Sequence, residues 1–84
     1  EKVIVETALL TVEELSAVTA LISESGADYI KTSTGFSSRG VSLADIEIIK
    51  RCKNERLKIK ASGGIRKLDF ALQLLEAGVD RIGT

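Results

Sequence analysis

Apolar and polar positions follow two rhythms along these 84 residues. Lys2-Val3-Ile4-Val5-Glu6 is a near-continuous β-branched run, the composition of a strand covered on both faces. From Thr11 the spacing lengthens. Leu15, Val18, Leu21 and Ile22 recur at helical intervals, Thr11 and Glu14 form a capping box, and Gly26 stands where a helix-ending glycine belongs. Tyr29-Ile30-Lys31-Thr32 predicts a second strand, and 33–40 a loop of small and hydroxyl residues with two glycines. Ser42 with Asp45 repeats the capping arrangement ahead of a stripe of Leu43, Ile46, Ile49 and Cys52. Leu57-Lys58-Ile59-Lys60 predicts a third strand, ended by Ser62-Gly63-Gly64. Leu68, Ala71, Leu72 and Leu75 mark one face of a third helix that stops at Gly78, and Arg81-Ile82-Gly83 opens a fourth strand. The helical leucines are expected in the core.

The order is βαβαβαβ. Strands alternating with helices predict a parallel sheet with right-handed crossovers. Two internal repeats sharpen this. Glu24 to Thr32 matches Glu76 to Thr84 as E-x-G-x-D-x-I-x-T, and Ile30 to Gly35 matches Ile59 to Gly64 as I-K-x-S-x-G. Repeated helix-glycine-strand units of about 25 to 30 residues are the building blocks of a (β/α)₈ barrel of about 250 residues. Four strands and three helices then amount to half a barrel. A flavodoxin-like open sheet is the competing architecture, though its first βα loop normally carries a different glycine fingerprint.

Composition narrows the setting. An apolar fraction of 44% with 29% charged residues describes a globular chain, not a disordered one. Twelve basic residues balance 12 acidic ones, which gives no general attraction to nucleic acid or an anionic membrane. The longest uncharged stretch, Leu15 to Ser23, is too short to span a bilayer. With one cysteine, Cys52, no intramolecular disulfide forms, and a reducing compartment fits. With no histidine and one cysteine, a zinc site would need an improbable set of carboxylates. The chain contains no Met and ends on an apolar-polar pattern without a turn signal, so it reads as a piece of a larger domain.

The candidate chemistry lies at the predicted strand ends. Lys31 and Lys60 hold the same place in the two I-K-x-S-x-G units, near the face on which barrel active sites are built. On adjacent strands about 4.8 Å apart their ammonium groups could approach within about 6 Å. At an effective dielectric of about 20 that is a repulsion of roughly 2.8 kcal/mol, or about two pKa units. A lysine brought from about 10.4 to about 7 or 8 is a usable nucleophile toward a carbonyl. The competing reading is two strand-end lysines on a solvated rim. Gly63-Gly64-Ile65-Arg66 precedes a helix, so backbone N–H groups, the helix N-terminus and the guanidinium could together hold a phosphate, although an ordinary turn also uses glycine. Thr34, Gly35 and Gly83 would converge on the same rim. Glu6 is a base, a cap or an ion-pair partner, Cys52 a core thiol, and Arg39 either solvated or a phosphate guide.

Read together, the segments 26–36, 60–66 and 76–84 resemble deoxyribose-phosphate aldolase, and 2–7 is similar to that family's fifth strand. The resemblance runs the length of the chain and implies strands five to eight, so that residues 1–84 form the C-terminal half of a single TIM-barrel domain. It implies that Lys31 forms the Schiff base, that Lys60 is the second active-site lysine that lowers the pKa of Lys31, and that Gly35, Gly63, Gly64, Arg66 and Gly83 fall on phosphate loops. The implied reaction is the reversible cleavage of 2-deoxy-D-ribose 5-phosphate to acetaldehyde and D-glyceraldehyde 3-phosphate, in cytoplasmic deoxyribonucleotide catabolism, with no metal or organic cofactor. The family's relay aspartate and its last phosphate-holding serines have no counterpart in these residues, so little or no activity is expected of the chain alone. Some members carry lysine where Phe36 stands, which leaves only backbone contact there. The implied partners are a sugar phosphate and either a second copy or the other half of the barrel. Another imine-forming sugar-phosphate aldolase, or a non-catalytic phosphate-binding half-barrel, remains an alternative.

Overall fold

The computed structural model describes residues 1–34 and 39–83. Four strands, β1 (Lys2–Ile4), β2 (Tyr29–Lys31), β3 (Lys58–Ala61) and β4 (Arg81–Ile82), form one sheet in sequence order. Every neighbouring pair is parallel. Between them run α1 (Val12–Ser25), α2 (Leu43–Cys52) and α3 (Leu68–Glu76). This is the alternation the sequence predicts, and the sheet is half of a (β/α)₈ barrel.

Local chemistry explains the helix starts. Thr11 accepts from the Glu14 amide while Glu14 returns a carboxylate oxygen to the Thr11 amide, and Ser42 and Asp45 do the same for α2. Gly26 closes α1 in the left-handed conformation, φ 84°, that only glycine adopts without strain. No side chain caps α3, whose N-cap position is Lys67.

One face of the sheet is sealed. Ile30, Ile59 and Ala61 point to the helices and meet Leu15, Ile22, Ile46, Ile49 and Leu74, all buried. The register places Lys31 level with Lys60, and Lys60 level with Arg81. The I-K units therefore align residue for residue. The longer repeat does not, because β4 is staggered by two residues and Arg81 takes the level that Gly83 would have occupied. A stagger of two keeps every side chain on its face, and stagger is what barrel closure requires.

Four expectations need correction. The first strand ends at Ile4 instead of Glu6, because Glu6 turns left-handed, φ 50°, into a 3₁₀ turn over Thr7–Leu9. Pairing nonetheless continues through the Val5 amide to the Lys31 carbonyl and the Thr7 amide to the Thr32 carbonyl. The third strand begins at Lys58, one residue late, and runs on to Ala61. The helical leucines are not all core. Leu21, Leu68, Leu72 and Leu75 are exposed, and α3 turns Leu74 inward with Phe70 and Ala77 beside it. Asp69, Gln73 and Glu76 share one face of that helix, and its apolar arc is wider than the buried one, so Leu68, Leu72 and Leu75 fall on the apolar side yet outside the core. Cys52 is a free thiol, only half-buried.

Candidate active site

The face of the sheet turned away from the helices carries cations. Lys2, Lys31, Lys58, Lys60 and Arg81 alternate with the buried residues, and Tyr29 lies among them. The Lys58 ammonium stands 5.9 Å and the Arg81 guanidinium 5.6 Å from the Tyr29 ring centre, so the ring braces both. A hollow of about 50 Å³ is lined by Lys2, Tyr29, Lys60 and Arg81. A larger hollow, beside Arg56 and Lys58, belongs to the opposite end of the strands, away from the rim.

Lys31 and Lys60 are half-buried partners on adjacent strands, as the repeat predicts. The Lys60 ammonium is held below the ordinary lysine value of 10.5, first by the Lys2 amine alongside it and its charge, then by partial desolvation, then by Lys31 and Arg81. The sequence did not single out Arg81 for this site, nor Lys2. The signal for Lys2 was there, since Lys2 and Ile4 are two apart on one strand and must share a face.

Beyond the lysines, buried hydroxyls tie the strand ends together. Thr32 Oγ1 donates to the Ser62 carbonyl at 3.1 Å and accepts from the Ser62 amide at 3.0 Å. Ser62 Oγ donates to the Ser33 carbonyl at 2.6 Å. Ser33 and Ser62 are the repeated serines of I-K-x-S-x-G, so that motif supplies both the amines and the clamp that fixes their backbones. Glu6 extends the clamp to β1. Its carboxylate accepts from the Thr34 amide at 2.8 Å and from Ser33 Oγ at 3.3 Å. Glu6 is thus a loop anchor. The Thr34 amide, committed to Glu6, cannot at the same time serve a phosphate.

The loops after β2 and β3 meet at two glycines. The Val41 amide donates to the Gly63 carbonyl at 3.2 Å, and a Cβ on Gly40 would stand 1.8 Å from that same oxygen. Gly63 and Gly64 are left-handed, φ 88° and 72°. Arg66 is exposed on the same loop, with no ion-pair partner among the described residues. Gly83, at the end of β4, binds the Ala61 carbonyl through its amide at 2.8 Å. Gly35 and Phe36 lie outside the described residues. Arg39 is settled: it makes a two-pronged contact with the buried Asp45, 2.8 and 3.2 Å, and pins the loop to α2. Burial would raise the Asp45 pKa, but the Arg39 guanidinium and the Ser42 amide outweigh it and hold the carboxyl below its usual value.

No family model matches the chain. Curated relatives do. The deoxyribose-phosphate aldolase of Metamycoplasma arthritidis is 57% identical over 82 residues, and that of Aquifex aeolicus 53% over 83. These alignments take in 98% and 99% of the chain but only 38% of each relative. A solved structure, QR15, an aldolase, superposes with a TM-score of 0.92 at 53% identity, covering 99% of this chain and 38% of that one. The deoxyribose phosphate aldolase from Aeropyrum pernix, described as tetrameric, gives 0.85 at 36% identity, covering 99% and 36%. The chain is therefore similar to deoxyribose-phosphate aldolases from end to end while spanning about 38% of their length.

Proposed function

We propose that residues 1–84 are the amine-bearing and phosphate-binding half of a deoxyribose-phosphate aldolase domain, a class I enzyme that reversibly cleaves 2-deoxy-D-ribose 5-phosphate to acetaldehyde and D-glyceraldehyde 3-phosphate. The observation that carries this reading is the level pair Lys31 and Lys60 at the C-terminal ends of adjacent parallel strands, next to a glycine-lined loop bearing Arg66. In the synthetic direction the Lys31 amine adds to the acetaldehyde carbonyl and water leaves, giving an imine. Loss of a proton from the methyl carbon gives an enamine. That carbon attacks the aldehyde of glyceraldehyde phosphate, the new alkoxide takes up a proton, and water releases the product from the amine.

Each remaining group has a role suited to its place. Lys60, pushed toward the neutral amine by its neighbours, is suited to exchanging protons beside the imine. Gly35, Gly63, Gly64 and Gly83 supply backbone to the phosphate, Thr34 its side chain, and Arg66 a charge-assisted clamp. The uncapped start of α3 favours the same assignment, since α1 and α2 spend their first-turn amides on side chains and α3 does not. The setting is the cytoplasm and deoxyribonucleotide catabolism. The open sheet face is completed by the rest of the barrel, as in the much longer relatives, and higher assembly of the kind described for the Aeropyrum pernix protein is open to the completed domain.

Borohydride reduction in the presence of acetaldehyde tests the assignment in the intact protein. It should leave a two-carbon ethyl group on Lys31, located by peptide mass spectrometry. An adduct on Lys60 would reverse the two roles. No adduct at all, with no turnover of deoxyribose phosphate, would remove the aldolase reading and leave a phosphate-binding half-barrel.

A further inference from the structure

Gly83 has no conformational reason to be glycine. Gly26, Gly63, Gly64 and Gly78 all have positive φ, which a side chain would strain, whereas Gly83 does not. Its backbone is also fixed, since its amide is bound to the Ala61 carbonyl. What it lacks is space. A Cβ built there would stand 2.9 Å from Lys60 Cε, 3.7 Å from Lys60 Nζ and 3.8 Å from Ser62 Cβ. The nearest obstacle is the stem of the second active-site lysine.

We propose that Gly83 is a positioning residue for Lys60: the missing side chain at 83 is the channel through which the lysine stem reaches the cation row. Ammonium groups that repel one another do not stay together unless something confines them. Lys60 faces Lys2 from β1, Lys31 from β2 and Arg81 from β4, with Lys58 two residues away on its own strand. Among the described residues, no carboxylate is among the groups acting on it. Confinement comes instead from the Tyr29 ring, which holds Arg81 on one side, and from the close backbone of Gly83 on the other. A methyl at 83 would turn the flexible lysine out of the row and leave the backbone where it is. The clash at Gly40 is of the opposite kind, backbone against backbone, with nothing free to move aside.

This rests on the aldolase reading for its kinetic arm alone. The test is Gly83→Ala in the full-length protein, with Lys60→Leu and the double variant. The first readout is the titration of Lys60 by NMR of ¹³Cε-labelled lysine. Gly83→Ala should move it up toward 10.5, the ordinary lysine value. The second is kinetic. Turnover at neutral pH should fall about tenfold or more on both deoxyribose phosphate and unphosphorylated deoxyribose, while adding Gly83→Ala to Lys60→Leu should change little further. A raised KM for the phosphorylated substrate alone, with the Lys60 titration unmoved, would overturn the proposal and leave Gly83 as a phosphate contact only. Should Gly83→Ala fail to fold, the double variant, which lacks the ammonium, should fold; its failure would equally overturn the proposal. The titration is read whether or not the wild type turns over substrate, so loss of the aldolase reading cannot be mistaken for loss of this one.

Discussion

The two faces of the sheet obey opposite rules. Toward the helices, Ile30, Ile59 and Ala61 are fully buried among Leu15, Ile46, Ile49 and Leu74, and each apolar group removed from water adds to stability. On the other face, Lys2, Lys31, Lys58, Lys60 and Arg81 gather within one small sheet, and each addition makes the next less welcome. The same strands serve both, because side chains alternate along them. The first face makes the fold, and the second, crowded with like charges, costs part of that stability. The buried hydroxyls of Thr32 and Ser62 mark the boundary between them.

The largest way to break this contrast is through the sealed face. Ile59→Ala should lower stability by about 2 to 5 kcal/mol in urea unfolding, whereas Lys58→Ala on the open face should stay within about 0.5 kcal/mol. Comparable losses at the two positions would mean that the faces are not energetically distinct.

The boundary comes next. Thr32→Val keeps the shape of the side chain but strands the Ser62 amide and carbonyl, at a cost of about 1 to 3 kcal/mol. Because the same bonds hold Lys31 and Lys60 level, borohydride trapping should slow as well. Destabilisation with trapping unimpaired would confine the clamp to a structural role.

How much of this was legible depends on the range of each signal. Both capping boxes, the Gly26 stop and the strand cores are local and stood in the sequence. The level pair Lys31 and Lys60 was legible because the chain repeats the motif, and parallel strands of equal context align. The end of β1 was not, since Glu6 turns left-handed where its carboxylate meets Ser33 and Thr34, contacts made only after β2 has docked. The apolar arc of α3 is wider than its buried face, so the pattern could not choose Leu74 and Phe70 over Leu68, Leu72 and Leu75. The contact of Gly40 with Gly63 joins two loops and leaves no periodic trace in either.

A smaller effect concerns the loop anchor. Asp45 titrates below 3.8 in the folded chain, so its contribution is complete above the ordinary carboxylate value and is lost as pH falls through the lowered one. Arg39 is half-exposed, so Arg39→Ala should cost only about 1 kcal/mol at neutral pH. The same variant should also flatten the acid limb of the stability curve below about pH 4. An unchanged acid limb would detach Arg39 from Asp45.

The smallest effect belongs to the open face itself. Lys60 binds its proton less readily folded than unfolded, so below its lowered pKa the repulsion is felt in full. As pH rises toward 10.5 the unfolded chain still holds the proton that the folded one has released, and stability should increase slightly. Added salt at neutral pH should act in the same direction by screening. In the Lys60→Leu variant both responses should shrink; persistence of both would put the repulsion elsewhere.

The cation row also bears on symmetry. A two-fold pairing sets each patch against its own image, so two copies closing into an eight-stranded ring would enclose one row against another identical to it. Among the described residues the strand positions of this face hold no carboxylate, Glu1 and Asp28 standing only at the far end beside Lys2 and Lys58, so little there answers the charge around Lys60. The edges β1 and β4 leave backbone groups open to pairing, while the like charges they would enclose weigh against a twin. A face that repels its likeness favours, on charge alone, a partner of different sequence over a second copy of these residues.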